Sequence, residues 1–429
     1  MILNRLPGCL FLLSLLLSAC ASPAGIVATS PESAKFSATS TPILPEMDPP
    51  AYASDTPRSS PIETATFPPT GTASPSRRVN LQAVGDMMLA RSVGEQVLDK
   101  GPGIVFAGVQ SVLDSADVLV GNLECALTSS STPLPKRYTF AAPPEAARAL
   151  SLAGFDVLSL ANNHSMDFGS PGLFDTFANL GQFGIAGVGA GANDADAHAP
   201  VILERNGLRL AFLAYLDVPK EYDGFDNQAS IATTTQPGVS WGTLDVIRTD
   251  VAAARLQSDL VIVMLHSGIE IMDKPTANQQ AEALAAIDAG AALVIGSHSH
   301  SLQPIEWYHG GLIVYSLGNF VFDEYLGVLN ATIILRVVLT PNGVESYEWV
   351  PVLIENGLPH LVTDREVPAI GTMVAPSDPS GTSTPTPTAP FMAVCTPPRC
   401  AIGSGETYYC PGVCPAGCGT TCATYTPTP

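Results

Sequence analysis

Seven short apolar runs punctuate the middle of the chain, and each breaks off in a cluster of polar residues. They are LQAVGDMML (81–89), DVLVGNLE (117–124), FDVLSLANNH (155–164), LRLAFLAYLD (208–217), DLVIVMLHSG (259–268), AALVIGSHSH (291–300) and GLIVYSLGNFVF (311–322). All are rich in Val, Ile or Leu and show little alternation, the pattern of strands covered on both faces. Between them AAPPEAARALSLAG, SPGLFDTFANLGQFG, TLDVIRTDVAAARL and KPTANQQAEALAAIDAG read as helices. The second is expected to start near Ser170-Pro171 and stop at Gly181; the last stops at Gly290, since glycine is favoured just past a helix end. This alternation predicts an α/β domain with a largely parallel sheet. After residue 330, ATIILRVVLT and VESYEWVPVLIE predict two antiparallel strands joined over Pro341-Asn342-Gly343, a strong turn sequence.

The pattern vanishes on both sides of this region. Residues 21–79 and 374–394 are dominated by Ser, Thr, Pro and Ala, and cannot bury enough apolar surface to offset the cost of ordering them. They predict a disordered stalk (20–79) and a disordered linker around a folded domain spanning 80–373. The leading residues, MILNRLPGCLFLLSLLLSAC, are too short for a membrane span of roughly 20 apolar residues and read as a 1–19 signal peptide. Cys20 directly after Leu17-Ser18-Ala19 resembles a bacterial lipobox, which implies cleavage before Cys20 and its lipidation; an ordinary secretory signal is the alternative. Past the second linker, residues 395–429 carry Cys395, Cys400, Cys410, Cys414, Cys418 and Cys422. In an exported chain these suggest a disulfide-stapled module, with a zinc or iron-sulfur site as the alternative. Cys125 has no evident partner and reads as simply buried. The net charge of -20, without a basic patch, argues against nucleic-acid binding, which begins with phosphate neutralisation.

Ligands in open α/β sheets sit beyond the carboxyl ends of the strands. The polar residues at those ends are Asp86, Asn122 and Glu124, Asn162, Asn163 and His164, His266 and Glu270, His298 and His300, and Asn319; four of the seven histidines are among them. Singly, each has an ordinary reading. Asp86 could cap a helix near Ser92, Asn162-Asn163 could hold a turn through side-chain to backbone bonds, and a lone strand-end histidine is usually satisfied by protein groups. Together they supply carboxylates, an amide oxygen and neutral imidazoles, the donors of a hard or borderline divalent cation such as Mn, Mg or Zn. Glu124 or Asp86 could bridge two ions that polarise a phosphoryl or acyl group, with His164 just outside to protonate a leaving group. No GxSxG elbow, Walker loop or dinucleotide fingerprint is present, and the glycine-rich GVGAGAND (187–194) reads as a loop.

GDMMLARS (85–92), GNLECALT (121–128), ANNHSMDFG (161–169), HSGIE (266–270), GSHSHSLQP (296–304) and YSLGNFVFD (315–323) occur in order and closely resemble the CapA/PgsA family of poly-γ-glutamate capsule synthesis proteins. That family is in turn similar to the calcineurin-like metallophosphatases. The resemblance implies a four-layer α/β/β/α sandwich of the metallophosphatase type. It also implies an extracytoplasmic protein on the bacterial cell membrane. There it would serve the synthesis, export or anchoring of an anionic polymer, beside a membrane-bound synthase or export complex. Carried over by position, it implies Asp86, Glu124, Asn163, His266, His298 and His300 as metal ligands and His164 as the acid or substrate-stabilising histidine. It further implies that Glu270 orients His266 or touches substrate. The metallophosphatase pattern departs at Met88, where a histidine ligand is usual and a thioether cannot serve these metals. Ser267 and Ser299 also differ from it but remove no ligand. A surface hydrolase of phosphoesters or γ-glutamyl amides, and a non-catalytic polymer-binding scaffold, are the alternative functions.

Overall fold

Every one of the seven apolar runs contains a strand in the computed structural model, which describes residues 77–221, 223–323 and 330–362, and the backbone of 399–401 and 407–409. Cys20, the stalk up to residue 76, the linker and the side chains of the six C-terminal cysteines lie outside the described residues. The backbone of Arg399–Ala401 pairs antiparallel with Thr407–Tyr409. Among the described side chains there is no disulfide, and Cys125 is a buried free thiol. No helix among the described residues is long and apolar enough to cross a membrane.

The principal strands are β1 (Val79–Met87), β2 (Val118–Leu123), β3 (Val157–Ser159), β4 (Ala186–Val188), β5 (Val201–Arg205), β6 (Leu208–Asp217) and β7 (Leu260–Ser267). They continue with β8 (Leu293–Ser297), β9 (Ile305–Tyr308), β10 (Gly311–Val314), β11 (Asn319–Val321), β12 (Ala331–Thr340), β13 (Gly343–Glu355) and β14 (Leu358–Leu361). The α/β class holds, but one largely parallel sheet is corrected to two mixed sheets. The first runs β14-β13-β12-β1-β2-β3-β4 with β11 also on β1; the second runs β9-β10-β8-β7-β6-β5. In the first, β1 to β4 are parallel while β12, β13 and β14 are antiparallel, β12 and β13 forming the expected hairpin. In the second, β6, β7, β8 and β10 are parallel, with antiparallel β5 and β9 at the edges.

The run 311–322 was expected as one strand and is two. β10 pairs with β8 in the second sheet, and β11 pairs with β1 in the first. The intervening residues 315–318 cross between the sheets, held by the N–H of Leu317 to the carbonyl of Gly296 and the N–H of Asp86 to the carbonyl of Gly318. Two glycines make this approach possible. A Cβ on Gly85 would meet the Gly318 carbonyl oxygen at 1.9 Å, and one on Gly296 would meet the Tyr315 carbonyl oxygen at 1.9 Å.

Helices α1 (Arg91–Lys100), α2 (Ala146–Ala153), α3 (Gly169–Gly181), α4 (Leu244–Arg255) and α5 (Ala277–Asp288) lie between strands. α3 begins one residue before Ser170 and ends on Gly181, where the sequence places its stop. Thr243 caps α4, and Thr276 with Gln279 forms a reciprocal capping box on α5.

Side chains alternate across each strand, so neighbouring residues feed different apolar clusters. Leu210, Phe212 and Ala214 of β6 join Leu81, Val120 and Val157 of the first sheet in one cluster. Leu213 and Tyr215 of β6 instead meet Ile247 and Val251 of α4 and Ala283 and Ala286 of α5. On the other side, Val84, Leu119 and Leu158 pack with Val93 and Val97 of α1, Leu150 of α2 and Leu173 of α3. Burial on both faces explains why the strands carry continuous apolar runs. Each fully buried Leu, Ile, Val or Phe removes enough apolar area from water to contribute about 1.5–3 kcal/mol.

Candidate metal centre

The carboxyl ends of β1, β2, β3, β7 and β8 bring the polar strand ends together. Asp86 lies in register between Asn122 of β2 and Asn319 of β11, and His266 of β7 lies beside Ser297 of β8. A register shift in the β1–β2 pairing just before Asp86 re-aims this strand end, as bulges do near sites. Asp86, Glu124 and His300 each present one ligand atom, and these atoms lie within 4.8 Å of one another.

Glu124 is the focus. Its Oε1 stands 3.8 Å from His300 Nε2, 4.0 Å from His266 Nε2 and 4.0 Å from His164 Nε2. Both of its oxygens are buried and make no hydrogen bond among the described residues. A buried carboxylate without partners is costly, and burial together with the charge of Asp86 drives the Glu124 carboxyl well above its ordinary range. Imidazole nitrogens at this distance are too far for hydrogen bonds; those of His300 and His266 have the spacing of ligand atoms around one ion, about 3–4 Å for bonds near 2.0–2.2 Å, while His164 stands at the edge. The donors and their spacing fit a divalent cation.

The histidines are held in form and orientation. His266 Nδ1 meets Ser297 Oγ at 2.9 Å and Asn122 Nδ2 at 3.2 Å, and its Nε2 meets Asn163 Oδ1 at 2.9 Å. Burial first, then the neighbouring His298, pushes its pKa well down, which favours the neutral ring that metals bind. His298 is pushed to about 3 for the same first reason, with His300 next, and its buried Nδ1 has no hydrogen-bond partner among the described residues. His300 takes the opposite course. Burial alone would lower it, but Glu124 and Asp86 raise it to about 10. Its Nδ1 lies 2.8 Å from Asn319 Oδ1 and 3.4 Å from Asp86 Oδ2. His298 and His300 both adopt left-handed backbone, φ +83° and +53°, a strained conformation that recurs at functional sites.

The Asn162-Asn163 step divides its two roles between its residues. Asn162 holds the turn: its Nδ2 donates to Asn122 Oδ1 and to the Leu123 carbonyl, and its Oδ1 accepts from His164 N and Ser165 Oγ. Asn163 faces His266. His164 Nδ1 lies 2.8 Å from Asp167 Oδ2, leaving Nε2 toward Glu124. Asp167 also accepts from Phe140 N at 2.7 Å and Lys136 Nζ at 2.6 Å. Lys136 reaches Glu221 Oε1 at 2.7 Å and the Asn163 carbonyl at 2.6 Å, all in the interior. Sequence reasoning did not single out Asp167, Lys136, Glu221 or Ser297. Asp167 carried a readable signal, three residues after His164 in ANNHSMDFG; Lys136 and Glu221 sit in unpatterned loops and carried none.

Asp86, Glu124 and His300 thus form the cluster, and Asn163, His266 and His298 join it through contacts of Asn163 with His266, of His266 with His298 and of His298 N with Asp86, with His164 beside them. Glu270 stands apart on an exposed loop, close enough for its charge to act on Glu124 and His300. The hydrogen bonds to the His266 ring come from Ser297, Asn122 and Asn163. Met88 is fully buried in the apolar cluster with α1 and offers no ligand. Cys125 is buried as expected, its thiol pushed up to about 12 by burial.

A buried carboxylate–imidazole–amide cluster at the strand ends of a mixed α/β fold defines the class: a protein with a candidate divalent-metal centre. Residues 80–324 match the family described as bacterial capsule synthesis protein PGA_cap, and the chain belongs to that family. It is 34% identical over 296 residues to the capsule biosynthesis protein CapA of Bacillus anthracis, covering 67% of this chain and 70% of that protein. It is 32% identical over 279 residues to the PGA biosynthesis protein CapA of Bacillus subtilis (strain 168), covering 64% and 72%. Among solved structures, a hypothetical protein from Thermus thermophilus aligns over 63% of this chain and 98% of its own, at 15% identity and TM-score 0.42, a likeness too loose to carry an argument.

Proposed function

We propose that this protein serves the synthesis, export or anchoring of an anionic polymer such as poly-γ-glutamate, through a divalent-metal centre held by Asp86, Glu124, Asn163, His266, His298 and His300. The observation that carries this reading is Glu124, whose two buried oxygens lack hydrogen bonds among the described residues while Nε2 of His300 and of His266 stand 3.8 and 4.0 Å away. The fold is read as a four-layer α/β/β/α sandwich of the metallophosphatase type. One apolar cluster shared by the two sheets, and one between each sheet and its helices, supports it. The reading also includes export, attachment through a lipidated Cys20 to the outer face of the bacterial membrane, and work beside a membrane-bound synthase or export complex.

A bound divalent ion would act as a Lewis acid on a phosphoryl or carbonyl oxygen. The protein's own residues do the rest. Asp86 and Glu124 supply charge that offsets the ion, and Asn122, Ser297 and Asn163 fix the His266 ring. Asp167 fixes the Nδ1 proton of His164, so that Nε2 is presented to the site as a proton acceptor. An imidazolium formed there is stabilised by the same carboxylate. This dyad favours a second reading, a surface hydrolase of phosphoesters or γ-glutamyl amides.

Metal content after dialysis against Mn²⁺, Mg²⁺ or Zn²⁺ tests the ligand assignment. The wild type should take up metal, and Asp86→Ala and the His298→Ala/His300→Ala double variant should lose it; full occupancy in all three refutes the site. Turnover of a phosphoester and γ-glutamyl panel with Mn²⁺, abolished by His164→Ala, would establish the second reading.

A further inference from the structure

At the edge of the metal centre the chain spends two arginines on one aromatic shelf. The Arg91 guanidinium lies 4.5 Å from the Phe140 ring centroid and 5.7 Å from that of Tyr138; the Arg137 guanidinium lies 5.3 Å from Tyr138. Phe140 in turn stacks on the imidazole of His164, with centroids 4.0 Å apart. The buried site therefore passes, in two ring contacts, to an exposed pair of cations. In a chain with 39 acidic and 19 basic residues such a pairing is conspicuous.

Arg91 is not consumed by the fold. Its side chain is 41% exposed, and among the described residues its nearest carboxylate is Asp323 at 4.0 Å and its guanidinium makes no hydrogen bond. Its backbone is left-handed, φ +52°, where an arginine is strained. Arg137 is also exposed; Asp223 takes its backbone N–H at 2.8 Å. A guanidinium stacked by its face on an aromatic ring keeps its in-plane N–H donors, and that fork matches a carboxylate in two-point contact.

We infer that Arg91, seated on Phe140 and joined by Arg137 across Tyr138, is a carboxylate-recognition subsite that holds a pendant carboxylate of a polymer while a neighbouring group of the same chain lies at the metal centre. This rests on the metal-dependent polymer reading above and adds the residues that select the substrate class. γ-Linked glutamate carries one free carboxylate on every residue, so a strand in the site presents such a group beside the reacting one.

The test uses the full chain dialysed against Mn²⁺, with metal content measured on the same samples and binding of a labelled short γ-linked glutamate oligomer read by anisotropy. Arg91→Gln should weaken binding about tenfold, the scale of a lost hydrogen bond to a charged group, with metal content and melting temperature unchanged. Arg91→Lys should recover only part, because it keeps the charge without the fork or the ring stacking. Arg137→Gln should weaken binding less. Unchanged oligomer binding in Arg91→Gln overturns the proposal, as does full rescue by lysine, which would reduce the effect to bulk charge. A wild type that takes inorganic phosphate but not the oligomer also overturns it. Failure of the metal reading would be seen separately, as a wild type that takes up no metal.

Discussion

Lys136 offers the most demanding test of how the site is built. Its Nζ sits 2.6 Å from Asp167 Oδ1 and 2.7 Å from Glu221 Oε1, and the three side chains are 1%, 0% and 8% exposed. It also donates to the Asn163 carbonyl at 2.6 Å. Lys136→Met keeps most of the side-chain volume and removes the cation, leaving two buried carboxylates facing one another. Removing one partner of a buried ion pair typically costs about 3–5 kcal/mol, far more than an exposed pair is worth. At about 2–4 °C per kcal/mol for a domain of this size, the melting temperature should fall by about 6–20 °C. Thermal unfolding of the full chain, followed by circular dichroism, reads this directly. Combining Lys136→Met with Asp167→Asn should recover part of the loss, because an amide needs no counter-ion; the double-mutant cycle isolates that coupling. A fall below about 3 °C, or strictly additive losses, would refute the reasoning that Lys136 offsets the buried charge of Asp167 and Glu221.

Metal loading should release protons. In the metal-free protein His300 is held up at about 10 by Glu124 and Asp86, so the stability this adds is present below the ordinary value of 6.5 and lost as pH rises through about 10. An ion must displace that proton, so Mn²⁺ affinity should climb with pH, and calorimetry at about pH 7 in buffers of differing ionisation enthalpy should show proton release, to which the raised Glu124 carboxyl also contributes. Absence of any buffer dependence would contradict the His300 assignment. Glu282, 1% exposed on α5, is raised to about 9 by burial and by Asp217. Its neutral form is favoured in the fold, so the stability it allows is full below the ordinary value of 4.5 and erodes as pH rises toward about 9. Glu282→Gln should therefore gain stability relative to wild type by about 1.4 kcal/mol per pH unit across that window, and a pH-independent difference would be wrong for this mechanism. Gly296→Ala should cost more than about 3 kcal/mol by denaturant unfolding, because its Cβ would meet backbone rather than a movable side chain.

What could be read from the sequence was whatever repeats along the chain. Continuous apolar runs marked the central strands of both sheets, and the polar residues near their ends marked Asp86, Glu124 and His300, whose ligand atoms the fold brings within 4.8 Å of one another. The same runs misled where periodicity is blind to partners. GLIVYSLGNFVF is apolar on both sides of Ser316, Gly318 and Asn319 because β10 and β11 are both buried, yet that interruption does not say that they belong to different sheets. Only Gly85 and Gly296, on other strands, record the close passage, and their meaning needs the neighbouring carbonyls. β5 was missed because its burial is intermediate and exposed by turns, so it carries no apolar run. Lys136 lay beyond reach for the same reason: a single charge in a loop has no period, and its burial is decided by Asp167 and Glu221, 31 and 85 residues away.

The candidate ligands are divided between the two sheets. Asp86, Glu124 and Asn163 stand at the ends of first-sheet strands, whereas His266, His298 and His300 stand at the ends of second-sheet strands. No single strand pair can set the distance from Glu124 to His300 and His266; the packing of one sheet on the other sets it. The crossing at residues 315–318, pinned to Asp86 through Gly318 and to Gly296 through Leu317, fixes that separation within a residue or two of the ligands on each side. An ion bound here would join the two sheets and offset the like charges of Asp86 and Glu124 on the first. Metal binding and sheet packing are then one equilibrium read at two places, because an ion that binds only the packed state stabilises it in proportion to its own affinity.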